Sequence, residues 1–192
     1  MDKASKSELT RARLRRAAID IFAREGFQRT RVSEIVTTAG VSQPAFYLYF
    51  ESKEAIYEAL VAEFREELRQ RVVLNVIPPD TPSSRLLDRV SVSFENLLNF
   101  MAADRALTEI GFFQPPGCSE TKQRMVGWVA DNIEKEQEGR LYREDVTAID
   151  IARLLVGLLD QMGRIVLADG DVPALARTSA KLFCGGTIRS GR

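Results

Sequence analysis

Residues 37–50 read "TTAGVSQPAFYLYF", with four aromatics crowded into the last five positions. Taken alone, such a run suits a buried strand, but its flanks forbid one. Ala39-Gly40-Val41-Ser42 is a turn followed by a helix cap, and Gln43-Pro44 is a helix start. A serine at the N-cap accepts a first-turn N–H, and proline is tolerated where that N–H has no partner to lose. A helix from Gln43 to about Tyr49 places Phe46 and Phe50 on one face at i, i+4, ready to pack on Val32, Ile35 and Val41. Gln43, Ala45, Leu48 and Tyr49 then lie largely on the other faces. A second short helix after Thr30, ending at Gly40, precedes the turn. Two short helices joined by a glycine turn, the second exposed on one side, form a helix-turn-helix. The second helix has the size to enter a DNA major groove.

Helical periodicity runs through the rest of the chain. Leu14, Ala18, Ile21 and Phe22 mark one face of a first helix over about Ser7–Arg24, stopped by Gly26, with residues 1–6 as a frayed arm. A fourth helix runs from near Ser52 to about Val76. The break "PPDTPSS" is followed by helices at about 83–101 and 103–113, then "QPPGC" and a helix at about 119–137. A long helix at about 146–168 and a last one, to about Cys184, complete the pattern. No strand-like alternation or internal repeat interrupts it. The expectation is an all-α protein of about nine helices, with a helix-turn-helix domain over 1–53 and a larger helical domain over 54–192.

Composition narrows the chemistry. Histidine is absent, which removes Ser-His-Asp and Cys-His nucleophile pairs and His-based zinc sites. Cys118 and Cys184 lack C-x-x-C spacing and read as reduced thiols. No phosphate-binding glycine loop or recognisable catalytic carboxylate pair stands out, so no enzyme, cofactor or metal is expected. No apolar run approaches the roughly 18 residues of a membrane span, so a cytoplasmic protein is expected. The 192 residues are neutral overall, yet residues 1–53 carry ten Lys/Arg against six Asp/Glu and the remainder seventeen against twenty-one. A basic N-terminal quarter on an acidic body fits a small DNA-binding part.

Residues 14–57 are similar to the N-terminal domain of TetR-family transcriptional regulators. Phe22, Gly26-Phe27, Thr30, Ile35, Ala39-Gly40-Val41-Ser42, Tyr47, Phe50 and Lys53-Glu54 match the family pattern in register. Val36 stands where the family usually has Ala, Tyr49 replaces a common His, and Ala45 a common Thr or Ser; these departures bear on the base sequence read. The resemblance implies a homodimer that binds operator DNA and answers to a small-molecule effector. A repressor released by a hydrophobic inducer is the leading expectation, with a ligand-independent DNA-binding protein and an activator of the same fold left open.

Candidate DNA-contacting residues are Arg31, Gln43, Pro44, Ala45, Tyr47, Leu48, Tyr49 and Lys53. Gln43 offers a carboxamide that matches an adenine edge, and Ala45 suits a thymine methyl. Tyr47 and Tyr49 present hydroxyls to phosphates. Lys53 and Arg31 sit at helix starts, where a cation opposes the helix dipole unless a phosphate is near. Arg11, Arg13, Arg15 and Arg16 read as a basic face, solvated or attracting DNA without regard to sequence. Thr30 is a candidate cap of the second helix.

The larger domain holds two further candidate surfaces. Aromatics and methionines make adaptable apolar pockets, and the expected effector site draws on Phe94, Leu98, Met101, Arg105, Glu109, Phe112, Phe113, Met125, Trp128 and Gln161. Candidate effectors are a fatty acyl or aromatic acyl thioester, such as an acyl-CoA, or a lipophilic drug. The stretch 149–168 is apolar almost all round, so it needs burial on more than one side. A second copy of the chain would supply that cover, through Ile151, Leu155, Leu158, Met162 and Ile165 with Leu175, Ser179, Leu182 and Phe183 of the last helix. A central core helix in a monomer is the alternative. Residues 54–76 are the expected lever between the halves.

Overall fold

The structure, a computed structural model, describes residues 3–188, and among them nine α-helices and no sheet. An isolated antiparallel bridge pairs Tyr142 with Ile188. The chain divides into two compact units. The first holds residues up to Arg65 together with Ala106–Ser119; the second holds Glu66–Arg105 and the chain from Glu120 onward. Packing thus divides the chain differently from the motif-based boundary at residue 53.

In the first unit, α1 spans Lys3–Glu25, α2 Val32–Ala39 and α3 Gln43–Phe46. Helix α1 therefore begins at Lys3, before the expected Ser7, and residues 1 and 2 of the expected frayed arm lie outside the described residues. Helix α4, Lys53–Leu74, contributes its portion up to Arg65. Leu14, Ala18, Ile21 and Phe22 of α1, Ile35 of α2, Phe46 of α3 and Ile56 and Leu60 of α4 are buried in one apolar cluster. Fully burying a side chain such as Phe46 contributes roughly 1.5–3 kcal/mol. Phe22, Phe27 and Tyr57 form an aromatic corner, with Phe27–Tyr57 centroids 4.7 Å apart.

The same unit includes α6, Arg105–Thr108, from Ala106 on, and the π-helical turn Glu109–Phe113 that continues it. Three side chains clip this segment down. The buried Tyr57 hydroxyl donates to the Ile110 carbonyl at 3.3 Å and accepts the Gly117 N–H at 3.1 Å. Arg65 donates to the Gly117 carbonyl at 2.9 Å, and Gln114 to the Ala23 carbonyl at 2.8 Å. Gly111 is required for space, since a Cβ there would lie 2.5 Å from Phe64 Cδ1.

In the second unit α5, Ser83–Ala103, packs on α8, Ala148–Leu167, and on α9, Val172–Thr187, while α8 also packs on α9. Helix α7, Cys118–Glu138, brings Met125, Val129 and Ile133 into the buried set. Thr147 caps α8 and Asp171 caps α9, each accepting the N–H three residues on. Phe183 meets Phe94 and Tyr142 edge-on, both at 5.9 Å.

Candidate nucleic-acid interface and effector cavity

The helix-turn-helix is built from local chemistry. Gly40 ends α2 in the left-handed region at φ 63°, where an L side chain is strained. Its N–H donates to Thr37 and the Val41 N–H to Val36, closing the turn. Ser42 Oγ then accepts the Ala45 N–H at 3.4 Å, and Pro44 occupies the first turn of α3. Helix α3 proper stops at Phe46. It continues to Phe50 as turns, with Leu48 N–H on Ala45 and both Tyr49 and Phe50 N–H on the Phe46 carbonyl. The rod is thus shorter than the expected 43–49 helix.

Phe46 is fully buried and Phe50 nearly so, their ring centroids 5.8 Å apart. They pin the segment while its opposite side stays in solvent. Gln43 and Pro44 are exposed, Tyr47 is 50% and Leu48 83% exposed, and Ala45 and Tyr49 are half-buried. Tyr47 also packs edge-on against Phe46 at 5.3 Å, so its ring is anchored while half of the residue stays in solvent.

Several expectations are revised here. Thr30 is not the cap of α2: its buried hydroxyl turns back to the Gly26 carbonyl at 2.9 Å. Arg31 holds the N-cap position, its N–H donating to Glu34 Oε2 at 2.9 Å, with its side chain exposed. Lys53 points inward: its ammonium donates to the Phe27 and Thr30 carbonyls at 3.0 and 3.1 Å and lies 4.4 Å from the Phe27 ring centre. Two of its three donors thus hold the α1–α2 corner against the start of α4. The arginines of α1 are not merely solvated. Arg13 donates to the Gly40 carbonyl at 3.2 Å, Arg15 pairs with Glu63, Arg16 with Asp20, and Arg11 lies over the Phe50 ring. Arg13 as a clamp on the turn is the role missed in the sequence. No local spacing signals a contact spanning 27 residues.

The second unit contains an apolar cavity in which about 60 Å³ admits the centre of a water-sized sphere. Phe94, Leu97 and Val90 of α5, Val129 and Ile133 of α7 and Phe183 of α9 form much of its wall. Its polar members are Asn75, Ser93, Asn132, Glu136 and Tyr142. Glu136 is 4% exposed, and its Oε1 accepts the Ile77 N–H at 2.7 Å. Burial pushes its carboxyl up to about 7, with the Ile77 N–H opposing. Asn132 Nδ2 donates to the Val72 carbonyl at 2.7 Å.

Of the ten candidate effector residues, Phe94 lines this cavity. Leu98, Met101 and Met125 are buried in the same unit without lining it, and Trp128 is half-buried. Arg105 is exposed and pairs with Asp169 at 2.5 Å, and Gln161 is exposed. Glu109, Phe112 and Phe113 belong to the first unit, where Glu109 accepts from Gln114. A signal for the polar wall of this cavity is present in α7. Glu136 continues the stripe Met125, Val129, Ile133, where a charged residue is out of place.

The candidate dimer residues separate similarly. Ile151, Ser179 and Phe183 are buried within the chain itself, and Leu155 lines the cavity. Leu158, Met162 and Leu175 are half-buried. Leu182 is 66% and Ile165 37% exposed, and the unforeseen Leu154 is 61% exposed. Gly157 adds an open spot on this face, whereas Gly163 is buried.

Comparison with known proteins agrees with this architecture. The family model "Bacterial regulatory proteins, tetR family" matches residues 14–60. The HTH-type transcriptional regulator YdgC of Bacillus subtilis (strain 168) is 32% identical over 97% of this chain and 97% of its own. A TetR-like transcriptional regulator from Rhodococcus sp. RHA1 superposes with a TM-score of 0.71 at 21% identity, covering 92% of this chain and 94% of that one. The fatty acid degradation regulator FadR from Bacillus halodurans gives 0.67 at 20% identity over 92% and 95%. These structural likenesses speak to fold alone. No described helix is long and apolar enough to cross a membrane. TetR-family regulators bind operator DNA and form dimers; they are transcriptional regulators, not enzymes. The chain belongs to the TetR family of bacterial regulatory proteins.

Proposed function

We propose that this protein is a one-component repressor, acting in the cytoplasm on the nucleoid, that leaves its operator when a small hydrophobic molecule enters the second unit. The exposed side of residues 43–49, held out by fully buried Phe46, is the observation that carries the DNA-binding half of this reading. Gln43 reads a base edge, Pro44, Ala45 and Leu48 make apolar contacts in the groove, and Tyr47, Tyr49 and Arg31 meet the backbone. Lys53 acts chiefly as a positioning residue, because its ammonium already holds the α1–α2 corner. The apolar cavity supports the effector half. A homodimer sets two recognition segments at the spacing of successive DNA turns, and the exposed Leu154, Gly157, Ile165 and Leu182 support a contact through α8 and α9.

The test is a gel shift against the DNA flanking the protein's own reading frame. The wild type shifts it, and Gln43→Ala changes operator preference by roughly 1–3 kcal/mol at one base position. Lys53→Met weakens binding to all sequences and lowers the melting temperature with it. Equal loss on every sequence from both variants, with Lys53→Met fully stable, would refute these roles. Transcription measured with and without the protein separates repressor from activator.

A further inference from the structure

The wall of the second unit's cavity contains a carboxyl group and no cation. Glu136 reaches it from α7, 4% exposed, with the Ile77 N–H on Oε1. Other polar lining comes from the end of α4 and the following link (Asn75), from α5 (Ser93), from α7 (Asn132) and from the 139–147 segment (Tyr142). Tyr142 is the other titratable lining residue, and Cys184 of α9 lies near it. The α8 and α9 contributions, Leu155 and Phe183, are uncharged. Among the described residues Asn75 Nδ2 is buried with no acceptor. Rotating that amide by a half-turn would put its oxygen in the same place at little steric cost.

A buried carboxylate is tolerated when a cation or several donors meet it. An anionic ligand placed here would add a second negative charge in a medium that screens poorly. A neutral ligand would leave Glu136 to stay protonated. A protonated amine supplies what is missing: a charge for the carboxylate, N–H donors for Glu136 and the rotated Asn75 amide, and a hydrocarbon body for Phe94, Leu97 and Ile133.

Resting on the reading of this cavity as the effector site, we propose that the effector is a compact lipophilic amine whose ammonium group pairs with Glu136. The acyl-CoA class is thereby disfavoured, since the lining offers no Lys or Arg for its phosphates. The Glu136 carboxyl, raised to about 7 by burial, must ionise to receive the cation. Amine affinity therefore holds above pH 7 and falls towards tenfold per pH unit below it.

The experiment is isothermal titration of the full-length protein at pH 8 with three matched probes: 3-methylbutylamine, 3-methylbutan-1-ol and 3-methylbutanoate. The amine is expected to bind at least tenfold tighter than the alcohol, with the carboxylate weakest. Glu136→Gln keeps an acceptor for the Ile77 N–H and brings amine and alcohol within threefold of each other. Equal or tighter binding of alcohol or carboxylate, undiminished amine binding by Glu136→Gln, or no binding by any probe would overturn the proposal. Phe94→Trp, which fills the cavity, distinguishes the underlying reading. If the wild-type protein binds any probe and Phe94→Trp binds it equally well, the cavity is not the effector site.

Discussion

Gly40→Ala tests how the turn before the recognition segment is held. The residue sits at φ 63°, where an L side chain costs about 1–2 kcal/mol. Part of that is offset, by about 0.4–1 kcal/mol, because alanine restricts the unfolded chain. The new Cβ would lie 2.7 Å from Arg13 Nη2, too close to coexist. Arg13 is the flexible end of a side chain and moves away, losing its 3.2 Å bond to the Gly40 carbonyl, worth about 0.5–1.5 kcal/mol. The sum is a loss of about 1.5–2 kcal/mol. For a chain of this size that lowers the melting temperature by roughly 3–8 °C. The assay is thermal unfolding of Gly40→Ala, Arg13→Ala and the pair. Both singles remove the same bond, so the double variant should be more stable than the sum of the singles implies, by about 1 kcal/mol. Strict additivity, or a neutral Gly40→Ala, would refute the clamp.

Two other perturbations reach different layers of the structure. Leu154→Arg puts a charge on the exposed face of α8 and should convert the dimer to monomer by sedimentation while leaving helicity intact; an unchanged sedimentation coefficient would locate the contact elsewhere. Glu136 has its carboxyl at about 7 in the fold against 4.5 without it, so the folded state binds the extra proton. Its contribution is fully present below about pH 4.5 and is lost as pH rises through 7, amounting to roughly 3 kcal/mol. Urea midpoints of wild type should therefore fall relative to Glu136→Gln between pH 5 and pH 8, and parallel midpoints would contradict this.

What was legible in the sequence was what neighbours in sequence decide. The Gly40 turn, the Ser42 cap, Pro44 in the first turn and the Phe46–Phe50 pair all act within four residues, and each appears where the spacing put it. The larger helices likewise follow from periodicity and breaks. What was not legible is what distant segments decide. Lys53 and Arg13 are cations on an exposed-looking part of the pattern, yet carbonyls 23 to 27 residues away hold them. Phe112 and Phe113 suit any apolar core, and only packing assigns them to the first unit. On α8 the period was right and the phase was not: Ile151 faces the chain's own core, while Leu154 faces out.

The two units also exchange chain at more than one point. The sequence pattern places one connection, residues 54–76, between the halves. The chain in fact passes between the units three times, at 65/66, 105/106 and 119/120. All three boundaries fall inside helices, in α4, α6 and α7. Within the first unit, Tyr57 and Arg65 of α4 clip residues 110 and 117, so α4 and the 106–119 segment are fastened together. A near-complete switch between 1:99 and 99:1 requires about 5.5 kcal/mol of ligand preference. On the proposed amine reading, an ion pair with Glu136 formed only on effector binding supplies part of that preference, and the apolar contacts of the cavity wall would have to supply the rest.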